Sequence, residues 1–467
     1  MSLLDNILNN LPEVEGPKER RLSFKEKLKW TGVTLVIFFT LGLIPLFGLG
    51  ENALSQFEYL SMILGAEFGS IISLGIGPLV TSSIVLQLLN GSGLVKFDLT
   101  SQEGKKRFQG FQKLLGIFFI IFEAIIYVYM GGLSPAGAFG GAVTTDMALF
   151  STLQMVLVFQ LFLGGILIMF MDEIISKWGF GSGISLFIAS GVSKQIFVRA
   201  LSPLPSPTNP NIATGAIPAL FQSLSAGDPI TAALMFSAVF FTLVVFAIAV
   251  YGQAMKIEIP LSFGRIRGHG IRWPLNFIYT SNIPVILIAA LLANIQLWAR
   301  LLQNWGHPIL GTFQGNTPVS GLVAWIFSPN IVGKFIKGSL TGSDIAHAGV
   351  YLLIMIGGAV VFSIFWVQTA GMDARSQAKQ IMSSGLQIPG FRRDERVLER
   401  LLNRYIWPLT VMGAITVGFL AATADLTGAL TRGTGILLTV MIIYRLYEEI
   451  AKQHMMDMHP MMRKFME

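Results

Sequence analysis

The sequence predicts an all-α polytopic membrane protein with ten transmembrane helices in two halves of five. Three observations lead there. The 467 residues are 53% hydrophobic and only 13% charged, with mean hydropathy +0.64, a balance no soluble globular domain needs. Charge-free runs near the roughly 20 residues a bilayer requires recur along the chain. Lysine and arginine fall overwhelmingly on one side of those runs.

Lys25, Lys27 and Lys29 precede an apolar run from Trp30 to Phe47. The run is too long for the core of a cleavable signal and lacks a small-residue cleavage site, so it reads as an uncleaved first span. Residues 2–21 are weakly amphipathic and are expected along the membrane surface, with Pro12 and Pro17 preventing one continuous helix. The ten crossings lie near 30–47, 74–92, 112–131, 147–171, 180–199, 229–255, 274–298, 346–370, 405–424 and 430–449. The fifth and tenth carry Lys194 and Arg445 near their ends, which must snorkel. Residues 200–227 are apolar too, but Pro203, Pro205, Pro207, Pro210 and Pro218 make them a loop. Between the first two crossings, Phe57 to Glu67 could form about three helical turns ended by Gly65 or Gly69. Such a helix either lies flat in the interface or re-enters a cavity between the halves, where protein or water must surround it.

With a cytoplasmic N-terminus, 27 of the 33 lysines and arginines lie inside and 6 outside, which puts both termini in the cytoplasm. Five crossings per half force the second half to run inverted, about a pseudo-twofold axis in the membrane plane. A weak echo accompanies this: Gly75-Ile-Gly-Pro78 opens span two and Ser281-Asn-Ile-Pro284 opens span seven, although proline occurs in membrane helices for other reasons.

Ile76 and Val80 stand one helical turn apart on one face, and Ile184 and Ile188 repeat the layout. Both pairs follow glycines inside apolar segments. They read as an apolar mid-membrane constriction or, on spacing alone, as ordinary lipid-facing or packing isoleucines. The chain has no cysteine, and its five histidines (269, 307, 347, 454 and 459) lie near segment ends or in loops. Thiolate and histidine metal sites are therefore disfavoured, as is an intramembrane protease built on Ser182, which has no histidine at membrane depth to activate it. No nucleotide-binding loop is present, and no cofactor is expected. An ion-coupled solute carrier also uses inverted repeats and broken helices, but it needs buried charge. Glu123 is the one acidic residue well inside a predicted span.

Several long motifs resemble one family in the right order: Gly75-Ile-Gly-Pro-Leu-Val-Thr81 with Gln87-Leu-Leu89, Asp172-Glu-Ile-Ile-Ser-Lys-Trp-Gly-Phe-Gly-Ser-Gly-Ile184, Ser281-Asn-Ile-Pro-Val-Ile286 with Ala293-Asn-Ile-Gln296, Gly390-Phe-Arg392 and Gly433-Thr-Gly-Ile-Leu-Leu438. They look like SecY, in its archaeal branch, over nearly the whole chain. The resemblance implies a protein-conducting channel, not an enzyme, with a central hourglass pore. Its pore ring would be Ile76, Val80, Ile184, Ile188, Ile286 and Leu438, and a plug helix would span about 52–67. A lateral gate would lie between spans two and three and spans seven and eight, with the polar cluster Thr81, Glu123 and Asn294. At 1.5 Å per residue the ring positions average near the middle of a hydrocarbon layer about 30 Å thick, with Ile76 and Ile184 off-centre.

The resemblance implies that the basic loops 256–272 and 371–404 dock a ribosome (rRNA and proteins) or a cytosolic motor, through Arg265, Arg267, Arg392 and Arg393. Positive-inside bias alone accounts for most of the other basic residues there. The resemblance further implies SecE-type and Sec-beta-type small single-span subunits, signal peptides and nascent chains as partners, contact with membrane lipid, and the cell membrane as location. The expected division is a cytoplasmic segment 1–27, a first half 28–200, an external linker 201–228, a second half 229–450 and a cytoplasmic tail 451–467.

Overall fold

The structure, a computed structural model, describes residues 11–18, 22–52, 66–91, 94–95, 97, 102–135, 138–139, 142–143, 147–205, 212–263, 270–280, 283–314, 317–383, 386–387, 394–431 and 433–458. Each predicted crossing coincides with a long helix: α1 (Phe24–Gly42), α2 (Gly77–Gly91), α3 (Gln102–Tyr129), α4 (Met147–Trp178), α5 (Gly183–Leu201), α6 (Pro229–Ala254), α7 (Ile283–Asn304), α8 (Gly342–Thr369), α9 (Glu395–Leu426) and α10 (Gly433–Met458). Among the described residues, seven helices are long and apolar enough to cross a membrane by length and composition.

Helix pairing repeats between the halves. In the first, α1 packs on α4 and α5, α2 on α3, α3 on α4, and α4 on α5. In the second, α6 packs on α9 and α10, α7 on α8, α8 on α9, and α9 on α10. Each pairing of the first half recurs in the second when five is added to each number, and the second half additionally packs α7 on α9 and α10. The halves meet where α2 touches α7 and α8, and where α5 and α1 touch α10. Both chain ends share one face of the bundle: Gln453 Nε2 donates to the Leu22 carbonyl at 3.0 Å, and the Phe24 and His454 rings meet edge-on. This terminal face is opposed by a far face, to which α1, α3, α5, α7 and α9 run.

Four boundaries depart from the sequence expectation, each for a local reason. The first helix starts earlier and ends earlier than 30–47. Ser23 and Glu26 form a reciprocal capping box at its start, and Pro45 disfavours helix in the residue before it. The seventh predicted span begins at 274, yet residues up to Asn276 belong to a hairpin: besides β1 (Leu49–Asn52), which pairs antiparallel with β2 (Leu133–Pro135), β3 (Lys256–Phe263) pairs antiparallel with β4 (Gly270–Asn276). Strand β4 is apolar because it faces a satellite core with α9 and the short helix Ala374–Ser383, so hydropathy mistook it for membrane chain. The proline-rich linker holds a helix, Ala216–Ala226, because Pro218 sits in its first turn, where no intrahelical N–H is required. Finally, of residues 2–21 only 11–18 lie among the described residues, and these bond to the bundle. Val14 N donates to Glu173, Lys177 bonds Glu13 and the Val14 carbonyl, and Trp178 Nε1 donates to the Glu15 carbonyl, so residues 13–15 dock on the terminal-face end of α4.

β3 also pairs with β5 (Leu386–Gln387) from the α8–α9 loop, so the two basic loops share one sheet on the terminal face. Arg265 and Arg267, and likewise Arg392 and Arg393, lie outside the described residues. So does most of the predicted plug helix, residues 53–65.

Candidate functional site

The chain from Ala66 to Ile76 is not helical, although it is buried in the bundle. Successive turns satisfy its backbone: Ser70 N reaches Glu67 O, Ser73 N reaches Ser70 O, and Gly75 N reaches Ile72 O. Gly75 turns with φ +55°, a conformation that favours glycine. Gly164 of α4 lets this backbone pass, since a Cβ there would stand 1.9 Å from the Ile71 carbonyl oxygen. Irregular backbone at membrane depth is tolerated when protein encloses it, and this segment delivers Ile76 to the head of α2. The Val80 N–H donates to the Ile76 carbonyl at 3.0 Å, which keeps the two side chains one turn apart as the spacing predicted.

The six aliphatic positions come from four helices and converge on one core. Ile76, Val80, Ile188, Ile286 and Leu438 are buried there, and the half-buried Ile184 packs against the same core. On the terminal-face side a cavity of about 660 Å³ narrows toward them. Its mouth carries Lys105, Gln109, Arg445 and Glu449, and its floor carries Val80, Ile184 and Ile286. Ile188 and Leu438 are 0% exposed, beyond that floor. The cavity lining thus includes branched aliphatic side chains, which offer no hydrogen bond to an ion's hydration shell and tend to dewet. Ser182 precedes α5 without a side-chain capping bond and lines the same funnel.

A polar chain crosses the junction of the halves. Asn294 Nδ2 on α7 donates to Thr81 Oγ1 on α2 at 2.8 Å. The Thr81 hydroxyl shares its proton between the Gly77 carbonyl at 2.8 Å and Glu123 Oε1 on α3 at 3.3 Å. Glu123 is 1% exposed and Asn294 6%, so all three groups are shielded and depend on one another. The Phe122 and Trp298 rings meet edge-on at 6.3 Å and bring α3 against α7 as well.

Glu67 pairs with Lys194 of α5 at 2.6 Å, with both side chains more than two-fifths exposed. Pairs this exposed contribute about 0.2–1 kcal/mol. A double-mutant cycle on Glu67→Gln and Lys194→Met, read by thermal unfolding, is expected to give a coupling below about 1 kcal/mol.

Two carboxylates escaped the sequence reading. Asp425 of α9 is 5% exposed and bonded to α8 and α10. Hydropathy ends the ninth span at 424, one residue short of it. Asp172 lies within a resemblance motif, but spacing gave it no partner; the structure sets its Oδ1 2.9 Å from the Ile184 N–H. Among the described residues, no group of acids and histidines could hold a metal ion.

The family model for SecY matches residues 70–447. The protein translocase subunit SecY of Methanothermobacter thermautotrophicus is 45% identical over 460 residues, covering 98% of this chain and 96% of that protein. The chain belongs to the SecY family. Among solved structures, a protein-conducting channel superposes with TM-score 0.82 at 42% identity, covering 98% of this chain and 99% of its own. Sec61 in the canine ribosome–channel complex from the endoplasmic reticulum gives 0.79 at 40% identity, with the same coverage. This SecY family member is thus a multi-pass membrane protein of a channel family, and the archaeal resemblance read from its motifs stands.

Proposed function

We propose that the chain is the channel through which unfolded polypeptides cross the cell membrane, and from which apolar segments leave sideways into lipid. The observation that carries this is the funnel ending on an aliphatic floor, set beside a seam closed by polar bonds. Ile76, Val80, Ile184, Ile188, Ile286 and Leu438 form the constriction. Dispersion contacts are non-directional, so such a ring fits around any passing side chain without reading its sequence. Thr81, Glu123 and Asn294 close the lateral gate between α2 and α3 on one side and α7 and α8 on the other. Residues 52–67 supply the plug on the far side, which is the outer face when both termini are cytoplasmic.

The halves are 28–200 and 229–450, joined by the linker 201–228. Loops 256–272 and 371–404, tied by the β3–β4–β5 sheet, dock a ribosome or motor, with Arg265, Arg267, Arg392 and Arg393 meeting phosphate or acidic groups. A SecE-type single-span helix fits the apolar groove of about 640 Å³ between α5, α6 and α10, lined by Phe197, Leu201, Phe246, Val250, Ile443 and Tyr447. A helix seated there would touch both halves and clamp them. A Sec-beta-type subunit completes the complex.

The chain has no native cysteine, so Ile188→Cys gives a unique probe. A secretory polypeptide stalled in transit is expected to crosslink to Cys at 188, while the same probe at the lipid-exposed Val36 of α1 stays unlabelled. Labelling at 36 but not at 188 would remove the ring from the path.

A further inference from the structure

We infer that Asp172 and Asp425 are a symmetry-related pair of positioning residues, each holding the head of a helix that carries the pore ring. This rests on the ring reading above. Asp172 lies near the end of α4 and accepts the backbone N–H of Ile184, the second residue of α5. Asp425 lies near the end of α9 and accepts the backbone N–H of Thr434, the second residue of α10, at 2.8 Å. Helices α4 and α5 correspond to α9 and α10 in the repeat of pairings. The first carboxylate stands at the terminal face and the second at the far face, as inversion requires.

The chemistry is that of a cap supplied from the preceding helix. The first N–H groups of a helix have no partner within it, and a carboxylate placed there satisfies one and meets the positive end of the dipole. Gly183 permits the approach, because a Cβ would stand 2.6 Å from the Asp172 Cα. The consequence for the pore is direct. Ile184 is itself a ring position, and Leu438 lies one turn beyond Thr434 on the same face. Fixing either helix head therefore fixes the depth and rotation of a ring side chain.

Asp425 does more than its counterpart. Its Oδ2 also accepts the Thr434 hydroxyl and, at 2.5 Å, the hydroxyl of Tyr351 on α8. Tyr351 and Thr434 border a small void shared with Ala289, Leu292 and Gln296 of α7, the helix that carries ring position Ile286 and gate position Asn294. One carboxylate thus joins the ring helix α10 to α8, which packs on both α2 and α7 across the gate.

The test uses the channel purified with its co-purifying subunits and reads idle ion conductance in planar bilayers. Asp425→Leu is expected to raise idle conductance about tenfold, the population shift that follows loss of a charge-assisted hydrogen bond. Asp425→Asn, which keeps an acceptor for the Thr434 N–H, should restore most of the seal. Asp172→Leu should leak similarly, and Tyr351→Phe less. Val417→Ala, a buried α9 substitution away from the cluster, serves as the stability control. A folded Asp425→Leu channel as tight as wild type overturns the assignment. So does a control that leaks equally for the same loss of melting temperature, or an Asn variant no tighter than the Leu one.

Discussion

Replacing Ile188 and Leu438 together by serine is expected to make the idle channel conduct ions at least about tenfold better, the change that follows when a barrier falls by about 1.4 kcal/mol. Both side chains are 0% exposed and stand beyond the funnel floor. The cavity reaches Val80, Ile184 and Ile286 from the terminal face, and the layer beyond offers water no donor or acceptor. Serine supplies both and removes volume, so the constriction wets. Emptying the core also destabilises the fold, by roughly 2–5 kcal/mol for each large-to-small change in a site that cannot collapse. The companion variant Ile188→Val with Leu438→Met keeps the layer apolar and nearly filled, at less than about 1.5 kcal/mol per site. Planar-bilayer conductance should separate the two, open for serine and sealed for valine with methionine. A serine channel as tight as wild type would mean that the seal lies elsewhere.

The sequence made this layer legible only in part. Hydropathy found the helices because membrane chain must be apolar for about 20 residues, and it misplaced boundaries wherever apolar chain served another purpose. Strand β4 is apolar for a satellite core, and Pro45 ends α1 inside an apolar run. Ile76 and Val80 were visible as a pair, but the irregular chain from Ala66 to Ile76 was not. Its burial depends on Gly164, nearly 90 residues away, and no local pattern encodes that approach. Glu123 stood out because a charge interrupts an apolar run. Asp425 did not, because a charge at the edge of a run resembles a helix end. Long-range hydrogen bonds such as Tyr351 to Asp425 leave no periodicity to read.

The two chemistries of the site divide the work between axis and seam. Along the axis the walls are aliphatic, so a passing chain finds contacts of similar strength whatever its side chains are. At the seam the groups are polar and bonded from helix to helix, so closure is specific and opening has a defined cost. An apolar segment in the pore can offset that cost by moving into lipid, whereas a polar segment cannot.

Asn294→Leu is therefore expected to lower the hydrophobicity a signal needs for sideways release. In the closed state the Asn294 amide donates to Thr81 Oγ1 at 2.8 Å, inside protein. When α7 parts from α2 that amide faces lipid or the ends of the opened bundle without its partner, while leucine loses little, since apolar helices gain no hydrophobic attraction for each other within a bilayer. Thr81 is not stranded by the change, because the Gly77 carbonyl and Glu123 Oε1 remain within its reach. The closed state thus loses about the 1 kcal/mol of an interhelical hydrogen bond, which shifts the closed-to-open ratio about fivefold. Integration of a graded series of leucine–alanine segments should show its midpoint displaced toward less hydrophobic sequences. Asn294→Gln, which keeps a donor on a longer arm, should fall between wild type and the leucine variant. An unmoved midpoint for Asn294→Leu would mean that the bond to Thr81 does not hold the gate, and that the shared apolar packing of α2 with α7 and α8 carries closure alone.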